Sequence, residues 1–267
     1  MAKLFAVTLI IIAILSAIPI LRHSFWTPED ISTHGQPIDE QMSETMAEAG
    51  ISFLASQILL AIFVWKYSKH GPNHRITNFP GGAMGLVIAA FLLVGTEVLA
   101  LGAFGAKAWA NVYLTPPSAN AIPIQVQAGQ FAFYFRYPGL DGTFGPVHPD
   151  QISESNQNFF GLDTTHDADS KDDIVTAEMA IPVNREIQLM MHSKDLGHSF
   201  HVRELRVHQD FVPGLDVAIH FTATKIGRYE IVCTQLCGLG HYNMKAYLSV
   251  MSQADFDNWL KQQAALQ

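Results

Sequence analysis

Three apolar runs, at residues 4–21, 51–67 and 82–105, constrain this chain more than any other feature. Each is near the length a helix needs to cross the hydrocarbon core of a bilayer. Only 15% of the residues are charged, well below the usual quarter for soluble domains, and the apolar excess is concentrated in the first 110 residues. With 267 residues the chain has room for one to two domains, so the natural division is a membrane part followed by a soluble part. The expected boundaries are 1–22 for a first run, 23–112 for a helical hairpin preceded by an acidic loop, and 113–267 for the soluble domain.

The first run follows Lys3 and precedes Arg22, which is also the pattern of a signal peptide. No clean small-x-small cleavage pattern follows it, so a retained helix is expected and removal as a signal is the alternative. Residues 66–75 are short and basic, whereas residues 23–50 carry Glu29, Asp30, Asp39, Glu40, Glu44 and Glu48. The positive-inside rule puts the basic loop and the N-terminus in the cytoplasm, and everything after Ala106 outside. Glu97 interrupts the third run. An ionisable group there faces protein or water rather than lipid, and a contact with a neighbouring membrane subunit is expected.

From Ile122 the pattern changes to short alternating runs punctuated by Gly and Pro, which predicts an all-β sandwich or barrel. Gln130-Phe-Ala-Phe-Tyr-Phe-Arg-Tyr137 reads as a half-buried strand. Residues 139–177 are polar, with a strongly acidic run at 163–173, and read as an inserted surface loop. That run could also dock a basic haem protein. The formal net charge of −8 argues against nucleic acid and for a basic or neutral partner. The chain closes as an amphipathic helix burying Phe256, Trp259 and Leu260.

The chemistry is concentrated in Cys233-Thr-Gln-Leu-Cys237-Gly-Leu-Gly-His241-Tyr-Asn-Met244, flanked on both sides by strand-like sequence. Gly238 and Gly240 let the chain turn tightly. A disulfide would use the cysteines alone and leave His241 and Met244 idle. Structural zinc has no use for a methionine, and a nucleophilic cysteine leaves the second thiol surplus. A mononuclear blue-copper site uses one Cys, a His and a Met, with a second His from an earlier strand. It comes close, and leaves the extra cysteine unexplained. The softness of two thiols, an imidazole and a thioether favours copper.

The pattern Cys-x-x-x-Cys-Gly-x-x-His-x-x-Met resembles the ligand loop of the dinuclear copper centre, CuA, in cytochrome c oxidase subunit II. In that family a second histidine comes from an Asp-x-x-His-Ser segment, here Asp195-Leu-Gly-His198-Ser199, 35 residues before Cys233. The resemblance implies six ligands to two copper ions: His198, Cys233, the main-chain carbonyl of Gln235, Cys237, His241 and Met244. It also implies a two-helix membrane hairpin and a cupredoxin-like Greek-key β-domain outside the bacterial cytoplasmic membrane. Magnesium at the boundary with subunit I is implied through the side chain of Gln235, where the family most often has a glutamate. The family's Gln-Trp-x-Trp pattern falls on Gln130 to Phe133, so Phe131 and Phe133 stand where its electron-accepting tryptophans would be. Arg203 or Arg206 could replace a family arginine that meets haem propionates.

The implied activity is that of a cytochrome-c oxidase. Single electrons arrive from a cytochrome c-type donor and pass to haem in subunit I, where oxygen is reduced to water. A nitric oxide reductase whose small subunit carries the same copper site is an alternative, as is a copper-delivery protein. The delivery reading needs exposed, exchangeable ligands.

Overall fold

A computed structural model describes residues 1–22, 27–68, 82–139 and 141–266 of the chain. Most of the basic stretch at 66–75 lies outside the described residues. By their contacts the described residues divide into two units. One comprises Met1–Thr27 and Pro37–Ala108, the other Pro28–Gln36 and Trp109–Gln267.

The first unit is helical. Helices α1 (Ala2–Leu21), α2 (Gly35–Tyr67) and α3 (Gly82–Tyr113) are each long and apolar enough to cross a membrane. Apolar side chains are exposed along all three, among them Leu4, Ile11, Leu59, Phe63, Leu92 and Leu99. Such surface is stable only where hydrocarbon replaces water. Small residues let α1 approach α2, where Ala6, Leu9 and Ala61 are buried together. Gln41 Nε2 of α2 donates to the Leu101 carbonyl of α3 at 3.2 Å. Helix α2 continues upstream of the apolar run through Asp39, Glu40, Glu44 and Glu48. Glu97 of α3 has Glu48 of α2 as a neighbour within its own chain.

The second unit is a sandwich of two five-stranded sheets. Its strands are β1 (Ile122–Gly129), β2 (Ala132–Tyr137), β3 (Ile174–Thr176), β4 (Met179–Pro182), β5 (Glu186–Ser193), β6 (His198–Val202), β7 (Val207–Phe211), β8 (Val217–Thr222), β9 (Gly227–Val232) and β10 (Lys245–Met251). The orders are β3-β2-β1-β5-β8 and β4-β10-β9-β6-β7, with β1–β5 and β4–β10 parallel and the other pairs antiparallel. This is the all-β sandwich that the sequence pattern predicts, in the cupredoxin-like form that the resemblance implies.

Period-2 alternation builds the core. Ile187, Leu189 and Met191 of β5 point inward, as do Ala246, Leu248 and Val250 of β10. Each large side chain buried there stabilises the domain by about 1.5–3 kcal/mol. Tyr137 ties β2 to β4 through its hydroxyl, which accepts from Ala180 N at 2.7 Å and donates to Ala180 O at 2.9 Å. Helix α5 (Gln253–Ala264) closes the chain. Ser252 caps it by accepting from Asp255 N, and it packs Phe256 and Trp259 against Tyr137. Upstream, Ile31 is fully buried in this core, and a bridge between Ser32 and Ala223 holds its segment against the domain.

Residues 139–177 are more ordered than their polar composition predicts. They contain a 3-10 turn at Pro149–Gln151, the short helix α4 (Ala168–Asp172) and strand β3. Their anchor is Asp173, paired with Arg136 of β2, both side chains fully buried. The Arg136 guanidinium also bonds Gln125 Oε1 and Gly145 O, and Gly145 N donates to Asp173. Asp163 is used by Thr165 and His166, and Asp167 caps α4 through Ser170 N. These acids tie the insertion to itself and to the sheet.

Candidate metal centre

Two connections deliver the candidate ligands. Residues 194–197 join β5 to β6 and place His198 at the first position of β6. Residues 233–244 join β9 to β10, antiparallel neighbours in which Val232 pairs with Lys245. Cys233 N donates to Met244 O at 3.2 Å, so the loop is closed at its base. A 3-10 turn at His241–Asn243 folds the far side back, with His241 N on Gly238 O and Asn243 N on Gly240 O.

Two glycines make the fold-back possible. Gly238 has φ of 123°, a conformation that costs an L side chain dearly. A Cβ at Gly240 would come within 2.5 Å of the Phe131 ring. Phe131 therefore lies on the loop's glycine surface and is 39% exposed. Phe133 is elsewhere: it is fully buried in the core, with its ring 6.0 Å from that of Phe211.

The donor atoms converge. The ligand atoms of His198, Cys233 and Cys237 lie within 4.8 Å of one another, and all three residues are buried. Cys233 Sγ is 3.8 Å from Cys237 Sγ and 3.2 Å from the Gln235 carbonyl oxygen. Cys237 Sγ is 3.5 Å from His241 Nδ1 and 3.7 Å from Met244 Sδ. Both cysteines are free thiols, with their sulfurs almost twice the length of a disulfide bond apart. Three of the six positions named by the sequence motif thus form one group, and the other three each lie beside one of its two sulfurs.

The protonation pattern suits a metal. His198 Nε2 faces Asp195 Oδ1 at 2.7 Å, and its Nδ1 is buried without a partner. A carboxylate that accepts a hydrogen bond from Nε2–H leaves Nδ1 as a bare lone pair, the usual arrangement for a ligating histidine. Asp195 is itself held by Leu196 N and Gln130 N. Burial opposes its charge, but the hydrogen bonds from His198, Gln130 and Leu196 outweigh it and keep the carboxyl below its ordinary range.

Burial likewise raises the Cys233 thiol. The neighbouring His198 ring and the Ser199 and Gln235 amides overcome this and bring it down to about 7. Burial and the adjacent Cys233 push Cys237 up to about 11. One thiol gives up its proton readily, and a metal ion would remove the second outright.

Among the described residues, His192, His201 and His220 have other partners. His201 Nδ1 donates to Val207 O, His192 pairs with Asp216 and His220 with Glu186. His208 sits at the rim, 3.1 Å from Thr234 Oγ1. Arg206 bonds Arg203 O and Pro28 O, so its guanidinium ties the upstream segment to the domain. Sequence reading gave Gln130 no role. In the structure its Nε2 donates to Cys237 O at 2.8 Å and its N–H to Asp195 Oδ2 at 2.8 Å. Its place at the head of the Gln-x-x-x aromatic pattern was the available signal.

A β-sandwich with two free thiols and an imidazole close together, on a chain with three membrane-length helices, fits the class of membrane proteins with a domain that could hold a metal ion. Comparisons narrow this. The family described as cytochrome C oxidase subunit II, periplasmic domain, matches residues 159–251. The alternative cytochrome c oxidase subunit 2 of Bradyrhizobium diazoefficiens is 30% identical over 266 residues, covering 97% of this chain and 91% of that one. Cytochrome c oxidase subunit 2 of Thermostichus vulcanus is 40% identical over 93 residues, 35% of this chain and 28% of that one. Among solved structures, the periplasmic domain of subunit II of cytochrome oxidase from Bradyrhizobium japonicum aligns with a TM-score of 0.41. It is 24% identical, over 56% of this chain and 96% of that chain. The chain belongs to the cytochrome c oxidase subunit II family.

Proposed function

We propose that this chain is the electron-accepting subunit of a respiratory haem-copper oxidase of the bacterial cytoplasmic membrane, with its β-domain on the outer side. His198, Cys233, the Gln235 carbonyl, Cys237, His241 and Met244 would hold two copper ions. The observation that carries this reading is the cluster of His198, Cys233 and Cys237, whose ligand atoms lie within 4.8 Å of one another, with the Gln235 carbonyl, His241 and Met244 each beside one of the two sulfurs. When bound, the copper pair supplies a one-electron relay.

The residues of the chain do the rest. The loop is closed by main-chain hydrogen bonds at its base and tip, so the ligands need not move between oxidation states. Asp195 fixes the His198 tautomer. Leu236, Leu239 and Tyr242 project outward from the loop, an apolar rim against which a donor can seat while water is excluded. A cytochrome c-type donor would deliver electrons near Phe131. Haem in subunit I would receive them, and oxygen would be reduced to water there. At the subunit I boundary, the side chain of Gln235 offers magnesium one neutral oxygen, a weaker hold than a carboxylate gives.

Purification of the intact complex from its native membrane tests the assignment. The chain should co-purify with a large haem-bearing subunit, and the complex should consume oxygen when given a reduced c-type cytochrome. Reduction of nitric oxide in place of oxygen would reassign the complex, and a chain isolated without any haem subunit would favour copper delivery.

A further inference from the structure

Phe131 is an exposed aromatic ring that borders two glycines of the metal loop. Its ring borders Gly238 and Gly240, and one side opens on a cavity of about 230 Å³ lined also by Gln127, Tyr134 and Lys194. Van der Waals contact with a backbone is a poor electronic and mechanical link. The bonded links are made by the preceding residue. Gln130 Nε2 donates to the carbonyl of Cys237, whose own side chain is a candidate bridging thiolate. Gln130 N donates to Asp195 Oδ2, and the other oxygen of that carboxylate holds His198. Residue 130 is thus one hydrogen bond from one ligand residue and two from another, while covalently joined to the exposed ring. Residue 130 is itself exposed, and the hydrogen bond from its amide to Cys237 is partly buried.

We propose that Gln130 is a positioning residue for electron uptake: it fixes Phe131 against the loop and provides the bonded connection from the ring to Cys237. The inference deepens the electron-accepting role proposed above and rests on it. In the step concerned, one electron would leave a ferrous haem of the donor, which becomes ferric, and would be gained by the metal ion that His198, Cys233 and Cys237 could hold. No bond is made or broken and no proton is required.

The test uses the full chain in its assembled complex, with a photoreducible c-type cytochrome as donor. Gln130→Met keeps the length and bulk of the side chain and removes the amide. Its copper content, optical spectrum and reduction potential should equal those of the unaltered chain, and onward transfer to haem should keep its rate. Uptake from the flashed donor should fall by roughly fivefold, the factor that one hydrogen bond is worth. Phe131→Leu should slow uptake too. The double variant should then be no slower than the slower single one, because both changes break one route.

Unchanged uptake in Gln130→Met would overturn the proposal, as would strictly additive losses in the double variant. Loss of copper in Gln130→Met and also in Gln130→Asn would likewise overturn it, by showing a structural prop only. Failure of the parent reading looks different: the unaltered chain itself would take no electron from the donor.

Discussion

At the scale of single residues, the site separates what a side chain does from what a main chain does. Gln235 lies between the two cysteines, and its carbonyl oxygen is 3.2 Å from Cys233 Sγ. Its side chain turns elsewhere, over Gly197, where a Cβ would meet Gln235 Cγ at 3.7 Å. Carbonyl ligation is indifferent to side chain. Gln235→Ala should therefore retain the copper content and spectrum, with any loss confined to magnesium content or transfer to haem. An emptied copper site in a folded domain would mean that the side chain is the ligand. The cluster from Cys233 to Met244 was legible in sequence because spacing is a local property, whereas His198, 35 residues upstream, came only from the resemblance. The role of Gln130 was not legible, since its partners lie 65 and 107 residues away. Nor did the alternation of residues 130–137 reveal that Phe133 faces the core while Phe131 lies on the loop.

Among elements, the insertion at 139–177 shows most clearly where sequence reading ends. Its polar, aperiodic composition reads as solvated loop, and its acids as a docking surface. In the structure Asp163 and Asp167 are occupied by local turns and a cap, and Asp173 lies under the loop against Arg136. A buried charge is tolerated only when paired, and no local pattern announces a partner 37 residues away. Removing one member leaves the other uncompensated, at a cost of about 3–5 kcal/mol. Arg136→Leu should thus lower the thermal midpoint of the β-domain and expose the insertion to proteolysis. An unchanged midpoint would show that the pair contributes no net anchoring. The strands, by contrast, were readable because inward and outward positions alternate, as in Ile187, Leu189 and Met191.

The whole molecule combines three membrane-length helices with a β-sandwich in which the loop at 233–244 gathers soft donors. The helices were evident from apolar length alone. The upstream extension of α2 was not, because its acidic residues obscure the apolar pattern. Everything proposed about electron flow depends on what that loop holds. Metal analysis of the purified complex, combined with electron paramagnetic resonance of its oxidised form, addresses this most directly. The account predicts two coppers per chain at this site, with one unpaired electron shared between them. Changing either Cys233 or Cys237 to Ser should abolish that signal. A single copper with a mononuclear signal, or zinc in its place, would contradict the account.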